Sequence, residues 1–313
     1  MPRTSRPRKG SLQFWPRKRA AKILPSVNWK PVHGKGILGF ITYKAGMASA
    51  LVKDLTEKSL TSKKQITFPV TILEAPNMKI FSLRFYNQGK VIKDVIVSND
   101  KELKSKFKVP KTLKDLNKEI PQNYDDIRLM VYSLPKQAKL KKSPDVIEIV
   151  INADNKLEFI KPFIGKANSL ADFLKPEIPL LDVRGLTKGK GFQGPVKRFG
   201  ISLKAHKSEK GVRRPGSLAP WHPARVTFHA PMAGQLGFFS RVHYNLKLIS
   251  SGSIKELNIN PKSGFKNYGN INTSFIILKG SDQGPAKRPI LITPSFRPTK
   301  SQSKLKYEFL ELV

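Results

Sequence analysis

Apolar and polar residues alternate with a period of two in several runs of this chain. "ITFPVTI" sets Ile66, Phe68, Val70 and Ile72 on one side, and "FSLRF" does the same with Phe81, Leu83 and Phe85. Residues two apart share a strand face, so each run predicts a half-buried β-strand. "NQGK" then punctuates a hairpin into "VIKDVIV". Tyr244, Leu246 and Leu248 alternate before "SSGS", and "SFIILKG" reads as a short buried strand. "DIRLMVYSL" and "DVIEIVI" read as further strands. Helical signals are short and lysine-rich: "NDKELKSKFK", "KTLKDLNKEI" and "NSLADFLKP". No internal repeat appears. These elements predict a mainly β (α+β) fold, a β-rich body interrupted by a mixed α/β insertion.

Two stretches follow neither period. Residues 1–36 are rich in Arg, Lys, Pro and Gly around isolated Phe14, Trp15 and Trp29. Residues 184–240 are glycine- and proline-rich with single aromatics interspersed. Irregular segments this long are uncommon inside compact domains and are usually functional or disordered. With little core to bury, both are expected to order against a partner. The predicted organisation is an N-terminal extension at 1–36, a first part of the body at 37–94, the insertion at 95–180, and a second part at 181–313. That second part contains a long basic loop at 186–240.

Charge sharpens the picture. The 313 residues hold 58 Lys+Arg against 22 Asp+Glu, a net charge of +36. The charge is segmented: the first acid is Asp54, preceded by twelve Lys and Arg, and residues 184–255 carry fourteen against Glu209 alone. Residues 95–180 hold twelve acids against sixteen Lys and Arg and are nearly balanced. Two cationic stretches beside a neutral domain point to nucleic acid as the polyanionic partner. No window approaches a membrane span. The basic N-terminus lacks a signal-peptide core, and four prolines in its first 25 residues argue against a targeting helix. The absence of cysteine excludes disulfides, thiolate metal sites and cysteine nucleophiles. An intracellular, membrane-free protein is expected.

The segment "RGLTKGKGFQGPVKRFG" contains Gly189-Lys190-Gly191-Phe192-Gln193-Gly194-Pro195-Val196, which matches the G-x-G-x-x-G-x-V of a kinase phosphate loop. A phosphotransferase also needs Asp and Asn metal ligands, yet no H-R-D or D-F-G follows and this region is almost free of acids. A dinucleotide site needs a helix leaving the third glycine; Pro195 and the early Gly200 suit an extended path instead. His222 and His229 stand without acids nearby, which argues against a metal site, and Asp125 and Asp126 read as a solvated turn. No catalytic residues, no small-molecule substrate and no cofactor are expected.

In a basic setting these glycines suit close backbone approach to phosphates. Lys188, Lys190, Lys197 and Arg198 surround them, with Gln193 within the loop and Phe192 or Phe199 available to stack on a base or sugar. Further along, Lys207, Lys210, Arg213 and Arg214 precede a Gly/Pro-rich tip carrying Trp221, His222 and Arg225. Flanked by Pro220 and Pro223, Trp221 fits no helix or central strand and reads as an exposed stacking wedge. A general nucleic-acid-binding protein carries the same features, and duplex DNA binding separates it from a specific RNA binder.

These segments, with "GSLQFWPRKRA", "GFITYKAGM", "RRPGSLAPWHPARV", "MAGQLGFFSR" and "KNYGNINTSFIILKGSDQGPAKR", resemble the ribosomal protein L3 family of archaeal and eukaryotic type. The resemblance runs from residue 10 to about 298 and is loose over 95–180. It implies a six-stranded type of β-barrel and two extensions penetrating the large-subunit (23S-type) rRNA toward the peptidyl-transferase region. It also implies early assembly, neighbouring large-subunit proteins as partners, a cytoplasmic ribosome-associated location, and Mg2+ only as part of the rRNA. The N-terminal arm contributes Arg3, Arg6, Arg8, Lys9, Trp15, Arg17, Lys18 and Arg19 to this expectation. The loop adds His206, a methylation site in some eukaryotic members, and the strand-entry segment adds Gln235 and Arg241. Departures are Ala48-Ser49, where the family usually has Thr-His, and Arg184, where an aliphatic residue is usual.

Overall fold

The alternating runs become strands. The computed structural model describes residues 11–32, 34–173, 179–205, 207 and 210–313. Strand accounts for 36% and helix for 10%, so the fold is mainly β. The strands are β1 (Gly36–Ile37), β2 (Phe40–Asp54), β3 (Gln65–Ala75), β4 (Met78–Asn87), β5 (Lys90–Ile96), β6 (Asp126–Ser133) and β7 (Val146–Asn152). They continue with β8 (Leu180–Leu186), β9 (Phe192–Gln193), β10 (Gly234–Gln235), β11 (Ser240–Ser253), β12 (Ser274–Lys279), β13 (Pro289–Pro294) and β14 (Tyr307–Leu312). The short helices are α1 (Leu116–Glu119), α2 (Lys156–Ile160), α3 (Leu170–Phe173), α4 (Pro195–Phe199) and α5 (Lys300–Ser303).

The chain divides into two units, a smaller one of residues 1–21 and 186–240 and a larger one of 22–185 and 241–313. In the larger unit, a five-stranded sheet runs β1-β7-β6-β4-β5 and a second sheet runs β13-β8-β11-β12-β3-β2-β14. β13 pairs with both β8 and β2, so hydrogen bonding passes from β2 through β13, β8, β11, β12 and β3 back to β2. One hydrophobic cluster serves both sheets, including Phe40, Ile72, Leu83, Ile149, Phe275 and Leu291.

The β4–β5 hairpin turns at Gln88 and Gly89, both with positive φ (47° and 76°), the conformation that a tight two-residue hairpin demands. β2 escapes the alternation rule for a visible reason. Its first six residues are all buried, and a register shift between Lys44 and Gly46 breaks the period. β6 and β7 pair with β4 and β1, tying the balanced middle of the chain into a sheet begun outside it.

Several sequence expectations need correction. Two of the three predicted helices shrink, to a 3-10 turn at Lys101–Ser105 and the single turn α1; of the third, "NSLADFLKP", Leu170–Phe173 are helical and 174–176 lie outside the described residues. α1 buries no residue, and helices this short gain too little to extend on their own. Residues 22–36 do bury core: Leu24, Trp29 and Val32 are each under a tenth exposed and join the main cluster. The solvated-turn reading holds for Asp125 but not for Asp126: Asp125 is exposed at a bend, whereas Asp126 begins β6 and is partly buried. Asp125 accepts the Gln88 N–H, and Asp126 pairs with Arg128 and Lys156. They border a charged network in which Arg84 and Arg128 share Glu148. Arg184, the departure from the family pattern, is buried beside Asp182, and its guanidinium donates to the Thr293 hydroxyl.

Candidate nucleic-acid interface

The smaller unit concentrates the positive charge: residues 1–21 and 186–240 contain seventeen Lys and Arg and one acid, Glu209. One carboxylate cannot neutralise seventeen cations, so the segment carries an excess that a polyanion would relieve. Its scaffold is an antiparallel fold-back. Lys190 N–H donates to Leu236 O at 2.9 Å and Leu236 N–H to Gly191 O at 2.9 Å, while β9 pairs with β10. At the closest approach stands Gly237, φ 73°, where an added Cβ would meet Lys188 O at 2.0 Å. Only glycine fits there.

This geometry answers the glycine pattern. Gly194 does precede a helix, α4, which corrects the expected extended path: Pro195 takes the first helical position, where proline is favoured, and Gly200 ends it in the left-handed conformation. Yet α4 has five residues, and the chain returns antiparallel through β10 rather than by the parallel crossover a dinucleotide site requires. Gly191, φ 63°, turns the loop.

The arm packs onto this scaffold through aromatic rings and guanidinium groups. Trp15 stacks on Phe199 at 6.1 Å between centroids and meets Phe228 and His229 edge-on at 5.6 and 5.2 Å. The Arg17 guanidinium lies over both Trp15 and Phe199 and donates to Arg198 O at 2.8 Å and Ser11 O at 3.0 Å. Arg198 in turn donates to Gln235 O at 3.0 Å and Met232 O at 2.9 Å; burial lowers its pKa. Arg19 covers the Phe238 ring at 5.4 Å, and Ala20 N–H donates to Phe238 O.

Away from this packed centre the side chains face water. Trp221 is 88% exposed and Phe192 78%; Phe228, although it meets Trp15, is still 70% exposed. Trp221 touches His222 edge-on at 6.2 Å, so the tip displays its indole. Lys188, Lys190, Lys197, Lys207, Lys210, Arg213, Arg214 and Arg225 are all exposed. Cations ringing open aromatic faces combine phosphate attraction with base stacking. Among the described residues no His/Asp/Glu cluster has metal-binding geometry.

A sequence model described as "Ribosomal protein L3" matches residues 1–108 and 92–312. The chain belongs to the ribosomal protein L3 family. Relatives named "Large ribosomal subunit protein uL3" include one from Methanocaldococcus jannaschii, 38% identical over 96% of this chain and 94% of its own length. Others come from Methanococcus vannielii, 38% identical over 95% and 93%, and Methanococcus aeolicus, 40% over 94% and 92%.

Within this L3 family member, the expected contact residues divide by environment. Arg3, Arg6, Arg8, Lys9 and His206 lie outside the described residues. Lys18 and Arg19 are exposed, whereas Trp15, Arg17 and Arg198 are partly buried and engaged with one another's neighbours. Gln193 and Gln235 turn their amides onto their own loop, donating to Lys190 O and Gly237 O respectively. Arg241 belongs to the larger unit, where it is partly buried. Phe199, expected as an open stacking face, is only 3% exposed because it ends α4 beneath Trp15 and Arg17. The roles of Phe228 and His229 had no sequence signal: they meet Trp15 across more than 200 residues, and no periodicity carries such a contact.

Proposed function

We propose that the smaller unit is the principal rRNA-contacting element of this chain and that the larger unit anchors it. As an L3 family member the chain is a structural, non-catalytic constituent of the large ribosomal subunit. The observation that carries the rRNA reading is the pairing of seventeen cations and one acid with the exposed rings of Trp221 and Phe192. Lys and Arg neutralise phosphates and release counterions, and the aromatic faces take unstacked bases. Gly191, Gly194 and Lys190 bring backbone and charge close to the phosphates. Lys207, Lys210, Arg213, Arg214 and Arg225 approach Trp221 along the chain, with His222 next to it; His206 is read as a further contact from the sequence alone. Trp15, Arg17, Arg198, Gln193 and Gln235 hold the loop in shape.

The circuit of pairing from β2 through β13 and back is read as a six-stranded barrel, and residues 95–180 as an insertion that broadens the five-stranded sheet through β6 and β7. The arm and loop then reach into 23S-type rRNA toward the peptidyl-transferase region, next to neighbouring large-subunit proteins, in the cytoplasm. Any Mg2+ involved belongs to the rRNA, and early folding of rRNA domains is the process served.

A sucrose gradient of native lysate tests the reading. Co-migration with large subunits that survives a high-salt wash is expected. A chain running free at low salt overturns it. Purified protein should also prefer rRNA to duplex DNA at moderate salt, whereas a general nucleic-acid binder takes both.

A further inference from the structure

Outside the basic unit, the larger unit has a cleft of about 210 Å³ beside β11, lined by His243, Tyr244, Lys247, Lys279, Gln302 and Leu305. Its lining holds two lysines, of which Lys279 is engaged with Tyr307. The Lys247 ammonium is partly withdrawn from water, which lowers its pKa, and it has no hydrogen-bond or ionic partner among the described residues. A half-buried, unpaired cation is costly, and an anion would offset that cost. The neighbouring segment 296–306 carries Arg297, Lys300, Lys304 and Lys306 and no acid.

The aromatic lining residue, Tyr244, is tied in place through its neighbours. Asp182, fully buried on β8, accepts Asn245 N–H at 3.0 Å and Phe296 N–H at 3.2 Å through its two oxygens. Asn245 adopts φ 58°, and its side-chain amide donates to Thr299 Oγ1 at 3.1 Å. These bonds join β11 to the segment after β13, so the Tyr244 and Phe296 rings meet at 5.7 Å with Arg297 over Phe296 at 5.2 Å. Tyr244 remains 52% exposed.

We propose that this cleft is a second RNA site, taking one unpaired nucleotide with its phosphate against Lys247 and its base on Tyr244. An apolar peptide is the weaker fit, because the charge of the lining and of 296–306 is of one sign and Tyr244 shares the cleft with an unpaired ammonium. The inference rests on the reading of the chain as an rRNA binder but assigns a contact in the larger unit.

The test is ultraviolet crosslinking of the full-length chain to large-subunit rRNA, with crosslinked peptides located by mass spectrometry. Crosslinks are expected within 243–247 as well as within 186–240. Lys247→Gln and Tyr244→Ala should each weaken the 243–247 crosslink about fivefold or more, as loss of a phosphate contact or a stacked base demands, and leave the loop crosslinks intact. Lys247→Arg should retain it. Loop crosslinks with silence at 243–247, or a 243–247 crosslink indifferent to both variants, overturns the second site alone. Silence in both regions overturns the rRNA reading of the basic unit with it. Thermal melting of each variant confirms that the fold is intact.

Discussion

The Arg17 guanidinium lies 4.2 Å from the centre of the Phe199 ring while donating to the neighbouring Arg198 carbonyl at 2.8 Å. Two irregular segments separated by 181 residues are thereby clipped into one unit. A cationic arm and a cationic loop repel each other, so their association needs directional contacts of this kind. Rings accept the positive charge on their faces, and carbonyls accept the N–H groups.

Arg17→Ala removes the charged hydrogen bonds to Arg198 O and Ser11 O and the cation–π contacts with Trp15 and Phe199, together worth about 2 kcal/mol or more. Hydrogen exchange at the Ala20 and Gly200 amides should accelerate about tenfold or more, since both amides are bonded within this unit. Arg17→Lys should recover part of the protection. Unchanged exchange in the alanine variant would show that the arm is held by other contacts.

Gly237→Ala should open the fold-back. The new Cβ cannot share space with Lys188 O, and φ 73° strains any side chain, for a cost of about 2 kcal/mol or more. Limited proteolysis within 186–240 should quicken. Gly194→Ala is the control: its φ is −71° and nothing lies within 4 Å of an added Cβ, so cleavage there should match the parent.

Trp221→Ala should leave the melting temperature unchanged, because an 88% exposed ring contributes little packing. Binding to large-subunit rRNA should weaken by about 1–3 kcal/mol, the range for one stacked base. Full affinity in a titration at fixed salt would exclude the indole as a stacking wedge.

Stability should carry a pH signature from Asp282. Burial pushes its carboxyl up to about 7, against the Gln283 N–H and the Lys44 ammonium. One carboxylate oxygen is buried without a partner, while Lys44 donates to the main-chain carbonyl. The unfolded chain releases this proton near pH 4. Between about 4 and 7 the folded protein therefore holds a proton that the unfolded chain lacks. The group's stabilising contribution is whole below about pH 4 and is lost as pH rises through about 7, at up to about 1.4 kcal/mol per pH unit. Melting curves of Asp282→Asn should gain on the parent between pH 5 and pH 8. A difference that stays flat across that range would remove Asp282 as the source.

Local pattern alone was enough to reveal β3, β4, β5, β6, β7, the middle of β11 and β12, because a strand with one buried face writes its period into neighbouring residues. It was also enough to show the segmented charge, the glycine loop and the resemblance to the L3 family, since each is a property of contiguous residues. Only the tertiary structure decided that β13 pairs with both β2 and β8, that Trp29 is core, and that the lysine-rich helices at 99–108 and 111–120 stop after a turn. The site divides the same way. Exposed Trp221 and its flanking cations are legible from Pro220, Pro223 and the basic run. The burial of Phe199 under Trp15 and Arg17 is not, because which ring is covered depends on a contact between segments nearly two hundred residues apart. Periodicity records which face of an element is buried; only the folded chain determines what buries it.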